Sequence, residues 1–184
     1  MKLLAIIDTQ NDFIDGVLGT KEAEAIVPRV CERIRQADKN TIIIFTRDTH
    51  STNYLNTFEG ERLPVEHCIY KTDGWMIHPD ILEAVRESGV KYHICNKFTF
   101  GMNMDEWYEA IDDLSDWPRN GQYVEEIEIM GLCTDICVIS NTMILRAMFP
   151  NYPIAVNSKC CAGVTPESHE RALEAMKMCQ IDII

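Results

Sequence analysis

Residues 127–148 read IEIMGLCTDICVISNTMILRAM: a short apolar run, a glycine, then a longer segment whose apolar side chains recur at helical spacing. The first part suits a buried strand and the last an amphipathic helix, so the stretch reads as strand, turn, helix. The same alternation extends in both directions. Strand-like runs fall at Leu3 to Ile7, Thr41 to Thr46, Tyr92 to Cys95, Ile127 to Met130 and Pro153 to Val156, with a last one at Ile181 to Ile184. Between them lie helical segments at Glu22 to Ala37, Asp80 to Glu87, Met104 to Leu114, Asp135 to Met148 and Pro166 to Met178. The last of these has a clear start, with Thr165 as cap and Pro166 at the first helical position, where no amide hydrogen is needed. Repeated strand-then-helix order predicts an α/β fold, a Rossmann-like three-layer arrangement with a six-stranded, mainly parallel sheet covered by helices on both faces.

A chain of 184 residues has the size of one ordinary domain, and residues 1–184 are expected to form a single unit. The 17 Lys+Arg against 29 Asp+Glu leave a formal charge of −12, a field that repels nucleic acid and acidic lipid, so neither is an expected partner. The opening MKLLAIIDTQ meets an aspartate too soon for a secretory core, and no apolar run approaches the roughly 20 residues of a membrane span. A cytoplasmic location is therefore expected. The 8 cysteines then read as reduced thiols and not as a disulfide framework.

In an open parallel α/β sheet, ligands bind outside the carboxyl ends of the strands. Asp8 ends the first run, Asp48 and His50 follow the second, Lys97 the third, and Cys137 the fourth by way of a turn. Taken singly, Asp8 also reads as a carboxylate solvated by its turn and Lys97 as a surface amine; their joint placement at one edge argues for a site. Thr134 is a plausible N-cap, which puts Cys137 in a first helical turn, where unpaired amide hydrogens and the dipole favour a thiolate. Cys133 precedes the cap and reads as a small packing residue, and Cys160-Cys161 as part of a loop after a strand. His93 reads as a core residue, while His78 and His169 read as solvated.

The segment Arg47 to Trp75 is too long and too polar for a plain connection. It carries Asp48-x-His50, Glu59 and His67, two imidazoles and carboxylates that suit Zn²⁺, or Mn²⁺ or Fe²⁺, although the D-x-H spacing alone leaves a reading without metal open.

Several motifs taken together resemble the isochorismatase-like cysteine hydrolases and, within them, the metal-dependent nicotinamidase and pyrazinamidase group. They are AIIDTQNDF at 5–13, DTH at 48–50, LPVEHC at 63–68, KFTFG at 97–101 and GLCTDICV at 131–138, spread over essentially the whole chain. The resemblance implies a catalytic triad of Asp8, Lys97 and Cys137, one divalent metal ion on Asp48, His50 and His67 with Glu59 as an extra ligand, and a cis peptide between Leu132 and Cys133. It also implies a homo-oligomer. Phe13, Phe100 and Leu132 are the candidate substrate contacts, with Phe98 and Trp75 as further aromatic surface. The expected reaction is hydrolysis of a small carboxamide, nicotinamide or similar, to carboxylate and ammonia through a thioester at Cys137. Backbone amides of Cys133 and Cys137 are the expected oxyanion donors. One departure concerns recognition: Leu63 stands before Pro64, and both Val65 and Glu66 separate that proline from His67, where similar nicotinamidases often have an aromatic residue and a single spacer. Two alternatives stay open, a related hydrolase acting on another small substrate and, from a different class, a non-catalytic metal-binding or thiol redox module.

Overall fold

A computed structural model describes residues 1–114 and 124–184. Six strands run through it: β1 (Lys2–Ile7), β2 (Thr41–Asp48), β3 (Tyr92–Lys97), β4 (Glu126–Leu132), β5 (Ile154–Ala162) and β6 (Asp182–Ile183). They form one sheet in the order β3-β2-β1-β4-β5-β6, and every pairing is parallel. The helices are α1 (Asn11–Ile14), α2 (Lys21–Arg35), α3 (Pro79–Ser88), α4 (Met104–Leu114), α5 (Ile139–Met148) and α6 (Pro166–Met178).

The burial of the strands explains their composition. β1, β2 and β4 are buried along almost their whole length, on both faces, which accounts for the unbroken apolar runs 3–7 of β1 and 42–45 of β2, while β4 buries Glu128 between Ile127 and Ile129. The chain steps outward from β1 to β2 to β3, returns beside β1 as β4, and then steps the other way. Right-handed crossovers running in opposite directions put their helices on opposite faces. Accordingly α2 packs on α3, and α4, α5 and α6 pack in succession. Within the first layer Arg33 of α2 reaches the buried Glu128 of β4 with a forked pair at 2.6 and 2.9 Å, and Asn157 of β5 completes that carboxylate at 3.0 Å.

The helix ends follow local chemistry. Thr165 and Ser168 form a reciprocal capping box at the start of α6. His78, expected at the surface, is the N-cap of α3, its Nδ1 accepting the Asp80 amide at 3.3 Å, and that helix stops at Gly89 with φ 63°. Two expectations are corrected. Cys160 and Cys161 lie inside β5, because an irregularity between Ile129 and Gly131 lets the strand resume pairing at Gly131 and Leu132. His93 is half-buried and not a core residue, since β3 is an edge strand and its imidazole leans toward Asp113 at 3.8 Å.

The strand order reverses between β1 and β4, and the crevice outside their carboxyl ends is where a doubly wound sheet binds ligands. Gly131 belongs to this place: its φ is 120°, and a Cβ there would collide with the Ile7 backbone on the neighbouring strand. No helix among the described residues is long and apolar enough to cross a membrane.

Candidate active site

Asp8 follows β1 with φ 45°, Lys97 ends β3, and Cys137 lies just beyond β4. All three are buried: Asp8 and Lys97 are 0 % exposed and Cys137 is 5 %. Lys97 Nζ sits 2.8 Å from Asp8 Oδ2, 3.1 Å from Asp48 Oδ1 and 3.5 Å from Cys137 Sγ, so one ammonium joins two carboxylates and a thiol. Asp48 and Lys97 are register partners across β2 and β3, and the ion pair is therefore set by strand pairing. Thr46, also on β2, donates to Asp8 Oδ1 at 2.6 Å.

Charges follow from this enclosure. Burial pushes the pKa of Lys97 down, but the negative groups of Asp8, Cys137 and Asp48 outweigh it, and the ammonium is held well above its ordinary range. Burial pushes the Asp8 carboxyl up, with Lys97 opposing. Burial also pushes the Cys137 thiol well up, Asp8 adds to this, and Lys97 offsets only part; a hydrogen bond to Asp8 favours the protonated sulfur further. The resting group is thus a thiol beside a carboxyl and a permanent cation, not the preformed thiolate expected from a helix start.

The turn that carries the thiol also departs from the expected capped helix start. Residues Thr134–Val138 wind as a π-helical turn, with Cys133 at its N-cap and the Val138 amide donating to the Cys133 carbonyl at 3.1 Å. Thr134 does not cap it. Its fully buried hydroxyl pairs instead with His169 Nδ1 at 2.7 Å, which makes His169 a half-buried contact of α6 and not a solvated side chain. Asp135 holds the same turn to the start of α6 by accepting the Val164 amide at 3.1 and 3.2 Å. The Leu132-Cys133 peptide is cis.

Beside the triad, Asp48, His50, Glu59 and His67 each offer one ligand atom, all within 4.8 Å of one another. His50 Nε2 lies 2.8 Å from Asp48 Oδ2 and 3.8 Å from Glu59 Oε1; His67 Nε2 lies 3.7 and 3.9 Å from the same two oxygens. Ligands about 2.1 Å from one ion at tetrahedral angles stand about 3.4 Å apart, and these separations bracket that value. Two further features fit an ion. His50 Nε2 is buried and makes no aligned hydrogen bond despite its nearness to Asp48, as expected of a lone pair aimed at a shared point. His67 Nδ1 is occupied by the Val65 carbonyl at 2.8 Å, leaving Nε2 as the ligating atom. The group therefore fits a divalent metal.

Of the candidate substrate contacts, Phe13 packs its ring 5.5 Å from that of His67. Phe100 is 48 % exposed, and its carbonyl accepts from Asn141 Nδ2 at 3.2 Å. Leu132 packs in the core and contributes its cis peptide. Phe98 is exposed, while Trp75 is buried under the guanidinium of Arg47, 3.3 Å from the ring centre.

Several residues that hold the site were not singled out from sequence. Gln10 clamps the Asp48 backbone in both directions, accepting its amide at 2.7 Å and donating to its carbonyl at 2.9 Å. Buried Asn141 of α5 donates to Cys137 O at 2.8 Å and accepts the Met102 amide at 3.0 Å, joining the loop after Lys97 to the thiol turn. Tyr54 packs its ring against both imidazoles, 4.6 Å from His50 and 4.9 Å from His67. The one available signal was the run QNDF after the first strand, whose polar residues are too dense for a simple turn.

A sequence model of the family described as Isochorismatase domain matches residues 2–184. The nicotinamidase/pyrazinamidase of Mycobacterium tuberculosis is 24% identical over 196 residues, covering 100% of this chain and 98% of that protein. Among solved structures, the pyrazinamidase of Pyrococcus horikoshii in complex with zinc is 27% identical with a TM-score of 0.75, covering 100% of this chain and 98% of the other. The nicotinamidase/pyrazinamidase of Bacillus subtilis is 23% identical with a TM-score of 0.78, covering 100% and 99%, and shares the fold.

Proposed function

The chain belongs to the isochorismatase domain family, and we propose that it is a single-domain cysteine amidohydrolase that converts nicotinamide or a similar small carboxamide to the carboxylate and ammonia. The observation that carries this reading is Lys97 Nζ within 3.5 Å of the Cys137 sulfur and 2.8 Å of Asp8, all three buried. A redox sensor needs an exposed thiolate, whereas burial and Asp8 keep this sulfur protonated.

Asp8 takes the Cys137 proton as the sulfur attacks the carboxamide carbon, and Lys97 balances the charge that passes between them. The carbonyl oxygen becomes an oxyanion, held by the backbone amides of Cys133 and Cys137. Asp8 returns the proton to the departing nitrogen, the C–N bond breaks, and ammonia leaves behind a Cys137 thioester. Water then attacks the thioester with Asp8 again as base, releasing the carboxylic acid and restoring the thiol. Asp48, His50, Glu59 and His67 hold one divalent ion, zinc in our reading, with Mn²⁺ and Fe²⁺ as alternatives. When bound, that ion supplies a Lewis acid that orients substrate or water. Phe13, Phe100 and Leu132 are the proposed substrate contacts. A homo-oligomer in the cytoplasm completes the reading.

Leu63 favours a second substrate reading within the same chemistry: an aliphatic side chain, 37 % exposed, stands where an aromatic partner for a pyridine ring was expected, which admits non-aromatic amides. Ammonia release from nicotinamide, pyrazinamide and a panel of aliphatic amides separates the two. Mass spectrometry of the quenched reaction is expected to find an acyl group on Cys137; turnover without any such adduct overturns the covalent route.

A further inference from the structure

We propose that Asp12 is a positioning residue for the metal group, setting His50 and His67 relative to each other through the backbone of Cys68. This inference rests on the metal reading of Asp48, His50, Glu59 and His67.

Asp12 is not one of the four ligand candidates and is not used in the hydrolysis. Its carboxylate accepts the Cys68 amide at 2.7 Å, the peptide unit that directly follows His67. Cys68 is fully buried with φ 47°, a left-handed conformation that a non-glycine residue adopts only when its surroundings hold it. The carbonyl of the same residue accepts the His50 amide at 3.0 Å, and the His50 carbonyl in turn accepts the Tyr70 amide at 2.8 Å. One residue therefore ties both imidazole ligands together, and the Asp12 carboxylate anchors its amide.

The opposite side of that carboxylate is equally specific. A Cβ on Gly74 would collide with all three atoms of the Asp12 carboxyl group, so only glycine leaves room for it. The surrounding backbone reinforces the placement: the Asp12 amide donates to Gly74 O at 3.0 Å, the Asn11 amide to Met76 O at 3.0 Å, and Asn11 Nδ2 to Asp73 O at 2.9 Å. Phe13, the next residue, lays its ring against His67. The short helix α1 is thus a splint against the segment 67–76, and its carboxylate reaches the Cys68 amide inside the turn. Removing it leaves the Cys68 amide without that acceptor and loosens the residue through which the two imidazoles are tied together.

The test measures Zn²⁺ affinity by competition with a chromophoric chelator, on metal-free protein, alongside melting of the metal-free form and iodoacetamide labelling of Cys137 followed by mass spectrometry. Asp12→Ala is expected to lower zinc affinity about 10- to 100-fold, the range found when partners behind metal ligands are lost. Asp12→Asn, which keeps one acceptor oxygen, is expected to recover most of the loss. Gly74→Ala, which displaces the carboxylate from the other side, is expected to mimic Asp12→Ala, and the double variant to be no worse than either. Cys137 labelling is expected to stay at the wild-type rate. Wild-type-like zinc affinity in Asp12→Ala overturns this inference alone, as do losses in Asp12→Ala and Gly74→Ala that simply multiply. A wild-type protein that takes up no zinc overturns the metal reading and this inference with it.

Discussion

The two halves of the site are held in different ways. Asp8, Lys97 and Cys137 stand at or just after the ends of paired parallel strands, and Asp48 and Lys97 are direct register partners. Of the metal group only Asp48 shares that support; His50, Glu59 and His67 lie on the irregular segment between β2 and α3. Strand-end geometry is a by-product of burying the sheet, so Asp8 and Lys97 need few added contacts, while Cys137, one turn beyond β4, is tied by Asn141 and the Thr134–His169 pair. The loop ligands have no such scaffold, and the structure supplies one piece by piece: Gln10 on the Asp48 backbone, Tyr54 against both imidazoles, Asp12 behind Cys68. Buried strand ends yield rigid chemistry, and loops yield it only with a second layer of polar anchors.

If the halves are separable in this way, the largest effect comes from the sulfur. Cys137→Ala is expected to cut turnover by about 10,000-fold or more while zinc uptake stays at the wild-type stoichiometry. Cys133→Ala, which keeps the backbone amide, is expected to retain most activity. A Cys137→Ala protein that also loses its metal would show that the halves are one unit.

Next comes Asp8→Asn, expected to lower kcat by about 100- to 10,000-fold, the usual worth of a positioned acid–base group. The pH profile carries the sharper information. Burial raises the Asp8 carboxyl above its ordinary range, so as pH falls the base is lost early, and the acid limb of kcat/KM is expected above the usual carboxylate value of about 4. Lys97 is held charged well above its ordinary range and sets no limb near neutrality. In Asp8→Asn the acid limb should vanish, and its survival would assign it to another group.

Stripping the metal with a chelator is the third probe. Activity is expected to fall about 10- to 100-fold and to return on adding Zn²⁺, while labelling of Cys137 continues. Asp48 is the one residue in both halves, touching Lys97 at 3.1 Å and His50 at 2.8 Å. Asp48→Asn should therefore disturb both labelling and metal uptake, in contrast to His67→Ala, which should disturb uptake alone.

The smallest effect is expected at the contact between the thiol turn and α6. Thr134→Val or His169→Ala removes one hydrogen bond, worth about 1 kcal/mol of stability, and kcat should fall a few-fold with KM unchanged. Because the two side chains share that bond, the double variant should be no worse than the poorer single one, as melting and kinetics will read.

Much of this was legible before the fold was seen. Short β-branched runs alternating with helical segments specify a covered parallel sheet, because only a strand buried on both faces tolerates unbroken Leu, Ile and Val. Once that sheet is granted, the rule that ligands gather at strand carboxyl ends brings Asp8, Asp48, Lys97 and Cys137 to one edge. Thr165 and Pro166 likewise declare the start of α6 through local bonding alone.

Tertiary structure decided what depends on approach across the chain. Thr134 has the composition of a cap, yet its hydroxyl is claimed by His169, thirty-five positions away, and the turn closes on the Cys133 carbonyl instead. Cys137 sits in a helical first turn by sequence, but its protonation is governed by complete burial beside Asp8, which no local pattern displays. Asp12 and Gly74 look like ordinary turn residues until the fold stacks one on the other behind His67. Local sequence fixes what a residue can donate, accept or bury; which of those capacities is used depends on neighbours that only the packed chain supplies.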